Sequence, residues 1–178
     1  MHDIAFDRGG ESRPMPSVRR NGEDLHMTEP RKTIFMETTR INAERTTSEI
    51  QSILAKYGAG AILFEFEGCK ISAVSFKYKV ENKEIAFRLP CRWQSLETVL
   101  RQSQKNPKSG DTYETWARRV AWRQVLRWVE AQFALVETGM VKVYEVFLPY
   151  AQTKSGRTIF ENIEHNNFRM LGYEENQK

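Results

Sequence analysis

The side chains with most capacity for chemistry in this chain are cations, and they fall in two rows. Arg119, Arg123 and Arg127 recur at every fourth position and form one ridge of a helix. Lys77, Lys79 and Arg88 lie on two neighbouring strands and, because parity changes across the turn between them, share one face of a sheet. Either row could grip phosphates. Pairing Val80 with Ile85 and Tyr78 with Phe87 puts Lys77 directly opposite Arg88. Like charges facing each other are unfavourable, a cost that a bound carboxylate or phosphate would offset. The plainer account is a solvated surface, with Arg127 paired to Glu130 one turn along the helix.

Other chemistries lack their parts. The three histidines are His2, His26 and His165, and the two cysteines, Cys69 and Cys91, are far apart, so no zinc spacing is met. A cysteine nucleophile needs a neighbouring base, and His165 is the sole histidine beyond the first 35 residues. Gly58-Ala59-Gly60 follows a helix and precedes a strand, the reverse of the order in a phosphate-cradling loop. A metal-dependent nuclease needs an Asp and a Glu-x-Lys triplet on adjacent strands. Here Glu81-Asn82-Lys83 falls in a turn, and Asp111 opens a helix. No metal, cofactor or catalytic residue is expected.

Three segments with a period of two position the sheet cations. Ile62, Phe64 and Phe66 mark the first; Val74, Phe76, Tyr78 and Val80 the second; Ile85, Phe87 and Leu89 the third. Gly68 marks one turn and Asn82-Lys83 the other, which gives an antiparallel meander. All five sheet aromatics, Phe64, Phe66, Phe76, Tyr78 and Phe87, share the parity read as buried, leaving none to stack a base. The opposite face is mixed and includes Leu63, Ile71, Ala73 and Ala86.

Helices flank this sheet. The capping box Thr46-x-x-Glu49 predicts a helix over 46–57 that ends at Gly58. Another spans 93–104. Asp111-x-x-Glu114 opens the longest, 112–138, which carries Trp116, Trp122 and Trp128. Its circumference is mostly apolar, so its tryptophans are expected to be structural. Residues 140–148 are ambiguous, and a short helix follows Gly156 through Ile159, Phe160 and Ile163. The expected fold class is α+β: a three-stranded antiparallel meander packed by an N-terminal helix, a short helix and a long central helix. The order helix, three strands, helix also occurs in double-stranded-RNA-binding domains, but the helix here opens with one basic residue, Arg92, where phosphate grip needs several.

The 178 residues are 40% hydrophobic and 28% charged, enough apolar material for a core. No apolar run approaches the roughly 20 residues a membrane-spanning helix needs. Two cysteines suit a reducing compartment. Residues 1–35 differ from the rest. Gly9-Gly10, Pro14, Pro16, Asn21-Gly22 and Pro30 break them up, and no apolar face recurs, so they are expected to form a disordered leader. Their six basic and six acidic residues cancel, so the formal charge of +4 falls in residues 36–178. One domain is expected over 36–171, then a polar tail over 172–178.

From Met36 onward the chain resembles a family of tailed-bacteriophage and prophage proteins with no assigned activity. The resemblance is carried by 36–59 (METTRINAERTTSEIQSILAKYGA), 87–93 (FRLPCRW) and 119–150 (RVAWRQVLRWVEAQFALVETGMVKVYEVFLPY). Members begin near the position of Met36, so residues 1–35 depart from the pattern. The resemblance implies a phage-encoded accessory protein in the cytoplasm of a bacterial host, and no catalytic residue.

Three functions follow as expectations. The first is association with nucleic acid through phosphate contacts from Lys77, Lys79, Arg88, Arg119, Arg123 and Arg127. The second is binding to a host or phage protein through the half-apolar sheet face. The third is an enzyme of unrecognised type. No membrane partner is expected.

Overall fold

The computed structural model describes residues 33–171 except Gln104; positions 1–32 of the expected leader and the expected tail, 172–178, lie outside the described residues. The fold is α+β, with a three-stranded antiparallel sheet in the order β1-β2-β3. The strands are β1 (Ala61–Glu67), β2 (Lys70–Val80) and β3 (Lys83–Pro90). Helix α1 (Ala43–Lys56) precedes them, and α2 (Trp93–Gln102) and α3 (Tyr113–Glu137) follow. The region left ambiguous by the sequence is α4 (Val143–Val146) and a 3-10 turn, Leu148–Tyr150, and the last helix is α5 (Ile159–His165).

Two helix starts differ from expectation. Asn42, not Thr46, caps α1: its side chain accepts from the Arg45 backbone N–H at 2.9 Å. Asn caps as well as Thr, and the earlier start buries Thr46 inside the helix, where its hydroxyl donates to the Asn42 carbonyl. Glu49 is thereby released from a capping role. Similarly, Thr112 caps α3 and Asp111 turns instead to Arg119.

The meander is as expected, but its second hairpin is shifted by two residues. Val80 pairs with Lys83, Tyr78 with Ile85 and Phe76 with Phe87, so the turn is Glu81-Asn82 and Glu81 takes a positive φ of 53°. A two-residue shift keeps every side chain on its face, so parity alone could not detect it. Charge distinguishes the registers. The observed one puts Lys79 opposite Glu84, Lys77 opposite Ala86 and Arg88 opposite Ser75. The like-charge pair Lys77–Arg88 therefore does not exist.

An irregularity between Glu65 and Phe66 corrects the face assignments beyond it. Glu65 pairs with Ala73 but Phe66 with Ile71, leaving Ser72 as an extra residue. The bulge turns Ile71 from the outer face onto the main core cluster. Phe66, read as buried, is 61% exposed at the end of its strand.

Helix α3 is the spine. Leu126, Val129 and Phe133 pack with Ile50 and Leu54 of α1, Val74 and Phe76 of β2, and Phe87 and Leu89 of β3. Trp122 is fully buried and Trp116 nearly so, while Trp128 is partly buried edge-on to Phe147. A second cluster joins Leu100, Trp116, Ala117 and Val120 to Ile34 and Met36. The Trp116 indole N–H donates to the Glu37 carbonyl at 3.0 Å. The packed chain thus takes in Ile34, a residue of the stretch read from sequence as leader.

The closing segment runs along β3. Phe147 is fully buried against Phe76, Phe87 and Phe133. The Gln152 N–H then donates to the Ala86 carbonyl at 2.7 Å, and Ala151 bridges Phe87. A capping box of Thr158 and Glu161 starts α5. Among the described residues no helix is long and apolar enough to cross a membrane.

Candidate functional site

The six cations singled out from sequence do not form one surface. Arg88 lies in a row across the outer face of the sheet. Its Nε is 3.0 Å from both Glu65 carboxylate oxygens, and Ser75 donates to the same carboxylate at 2.9 Å. Glu161 of α5 lies 3.6 Å from the other side of the guanidinium. The Arg88 hydrogen bond, ahead of an opposing desolvation effect, holds Glu65 below the usual carboxylate range, and Glu65 in turn raises Arg88. Lys77 reaches Glu84 at 3.6 Å.

The helix row is paired in the same way. Arg119 makes two bonds to Asp111, at 3.2 and 2.7 Å, and keeps it below its ordinary value. Arg123 is 7% exposed, not on the solvated ridge expected of it, and bonds Glu49 of α1. Arg127 takes Glu130 at 2.6 Å, the pairing the sequence suggested. Arg118, overlooked in the sequence, is the most central of these cations. It bonds Glu114 at 2.9 Å, faces Glu67 at 3.4 Å and stacks over Trp93 at 4.2 Å. Arg123 ties α3 to α1, and Arg118 ties it to the first hairpin.

Lys79 makes no ion pair among the described residues. It lines a shallow depression of about 350 Å³ with Tyr78, Lys142 and Tyr144 at the hairpin end. A hydrogen bond with Tyr144 raises the Lys142 ammonium above its ordinary value. Two depressions with charged residues in their walls meet at Arg119, one with Asn42, Lys70 and Arg118, the other with Glu37, Thr38 and Lys105. Their cations are matched by acids: Lys70 by Glu114, and Lys105 by Glu37, each at 2.7 Å.

Nucleophilic and metal chemistry find little to build on among the described residues. No three His, Cys, Asp or Glu side chains converge. Burial pushes the Cys91 thiol up to about 12, while Cys69 is exposed.

Two features were missed in the sequence. The first is the outer edge of β1. Among the described residues β1 pairs only with β2, so half of its backbone groups over Ala61–Glu67 face outward. Leu63 is 63% exposed and Phe66 61% exposed, flanking that edge. Leu63 was legible as an outward residue; Phe66 was not, because its parity matches that of buried Phe64. The second is an apolar depression of about 230 Å³ walled by Pro90, Pro149, Tyr150 and Phe160, with Arg92 at its rim. Its parts lie up to 70 positions apart in the chain, and no local pattern joins them.

Comparison with protein-family models, with curated proteins and with solved structures finds no match for this chain.

Proposed function

We propose that this chain is a protein-binding accessory that receives an extended segment of a partner protein along the free edge of β1. The observation that carries the reading is that edge: a seven-residue strand, open on one side among the described residues, with Leu63 and Phe66 exposed beside it. An edge of this kind offers backbone hydrogen bonds to an added strand, and the flanking side chains supply selectivity. Natural edges are commonly blunted by charges and bulges. Here those devices are confined to the Glu65–Glu67 end, and Glu65 is already engaged by Arg88. The stretch Ala61–Phe64 carries none. The partner strand that fits has an apolar residue beside Leu63 and a basic residue beside Glu67.

The phosphate-binding reading draws less support from the same geometry. Lys77, Arg88, Arg119, Arg123 and Arg127 each already face a carboxylate, and a phosphate would have to displace it.

The test compares the parent with a Leu63→Lys/Phe66→Lys double variant. Each is used to capture proteins from a bacterial lysate, and the captured partner is then titrated against both. The expected result is about tenfold or greater loss of affinity in the variant, with partner-dependent protection of the 61–67 amides from hydrogen exchange in the parent. Salt should weaken the complex little, whereas phosphate contacts would give a steep salt dependence. Equal capture by both proteins, or no protection over 61–67, overturns the proposal.

A further inference from the structure

The depression beside α5 stands apart from the β1 edge and from every ion-pair network described above. Four parts of the chain meet there. β3 ends at Pro90, Arg92 immediately precedes α2, the 3-10 turn contributes Pro149 and Tyr150, and α5 contributes Phe160. Its walls are stiff. Two are proline rings, and the Tyr150 ring packs against Trp128 with centroids 5.3 Å apart. Phe160 meets Phe168 edge-on at 6.4 Å. Stiff aromatic walls lose little entropy when a flat molecule is placed between them.

Arg92 is the charged group at this site. Its guanidinium sits over the Phe160 ring, 5.4 Å from the centroid. The neighbouring arginines are matched, Arg88 to Glu65 and Glu161, and Arg118 to Glu114 and Glu67. Arg92 makes no ion pair among the described residues. Glu161, the next residue after Phe160, is already engaged by Arg88 and by the Thr158 backbone N–H. An exposed arginine fork beside an apolar recess is complementary to a carboxylate attached to an apolar body.

The volume limits what that body can be. An apolar cavity of about 150 Å³ accepts benzene, and drug-sized ligands occupy roughly 300–1,000 Å³. At about 230 Å³, the depression has room for one ring and its carboxylate. We propose that the Pro90–Pro149–Tyr150–Phe160 depression binds a small aromatic carboxylate, with Arg92 pairing to the carboxylate and Tyr150 and Phe160 packing on the ring. Such a ligand fastens α5 to the end of β3.

The full chain is titrated with three probes: benzoate, benzyl alcohol as a ring without charge, and acetate as a charge without a ring. Binding is read by saturation-transfer NMR and by the shift in unfolding midpoint. Benzoate should bind saturably, about tenfold or more tightly than either partial analogue. Arg92→Gln should weaken benzoate about tenfold or more while leaving benzyl alcohol unchanged, and Arg92→Lys should recover part of the loss. Phe160→Leu should weaken benzoate and benzyl alcohol together. Unfolding midpoints measured without ligand establish that each variant is folded. Failure of benzoate to saturate by about 20 mM, or an unchanged affinity in Arg92→Gln, overturns the proposal.

Discussion

The sheet has two edges, and the chain treats them differently. Along β3 the segment after Phe147 returns to the sheet, donates from Gln152 to Ala86 and bridges Ala151 to Phe87. Along β1 no described residue does the same, and Leu63 and Phe66 stand in the open. The closed edge is held from beneath by one buried side chain. Phe147 touches Phe76 and Phe87 of the sheet and Phe133 and Trp128 of α3, with ring centroids 5.3–6.1 Å apart. Closing a sheet edge takes an anchor in the core as well as backbone hydrogen bonds. The β1 side has the backbone groups but no such anchor.

The largest expected effect comes from removing that anchor. Phe147→Ala empties a fully buried site and should cost about 3–5 kcal/mol by chemical denaturation. Hydrogen exchange at Gln152, whose amide bonds the Ala86 carbonyl, should accelerate more than exchange within the β1–β2 ladder. Uniform acceleration would mean that the closing segment and the sheet are one cooperative unit, and the contrast between the edges would lose its meaning.

An intermediate effect is expected from the paired carboxylates, those at the start of α3 and the one in the outer-face row that links all three strands to α5. Glu65, Asp111 and Glu114 are held below the usual carboxylate range, chiefly by hydrogen bonds from Arg88, Arg119 and Lys70 respectively. A carboxylate whose folded pKa lies below its unfolded value stabilises the fold above the unfolded value, near 4. That contribution is lost as pH falls through the folded one. Stability should therefore be level near neutrality and decline below about pH 4. Glu65→Gln should cost about 1 kcal/mol at neutral pH and make the acid decline shallower. An unaltered acid limb would show that Arg88 does not hold Glu65 in solution.

The smallest effect belongs to the open edge. Leu63→Lys and Phe66→Lys alter side chains that are mostly exposed, and each should change the stability of the isolated chain by no more than about 0.5 kcal/mol. A loss of 2 kcal/mol or more, measured by the same denaturant titration and attributable to buried packing, would mean that the edge is covered in the free protein.

The strand behind the candidate β1 edge and the outward Leu63 could be read from the sequence, but the open edge, the exposure of Phe66 and the Arg92 depression could not. The alternation through Ile62, Phe64, Val74, Phe76, Ile85 and Phe87 specified an antiparallel meander and its buried face, because a half-buried strand must repeat every second residue. The apolar wrap of α3 likewise marked it as the central helix. What these patterns leave open is anything that preserves them. A two-residue shift in the β2–β3 hairpin keeps every face, so the opposition of Lys79 to Glu84 was settled only when the strands paired. The bulge at Ser72, which sends Ile71 inward, leaves no mark in the alternation upstream of it. Charge partners were hidden for a different reason. Arg127 and Glu130 are one turn apart and could be matched on a helix surface, whereas Arg123 finds Glu49 across 74 positions and Arg88 finds Glu65 across 23. Local periodicity carries the elements because it arises from the geometry of one helix or strand. Register, ion-pair partners and the open or closed state of an edge depend on which elements meet, and the tertiary structure alone decides that.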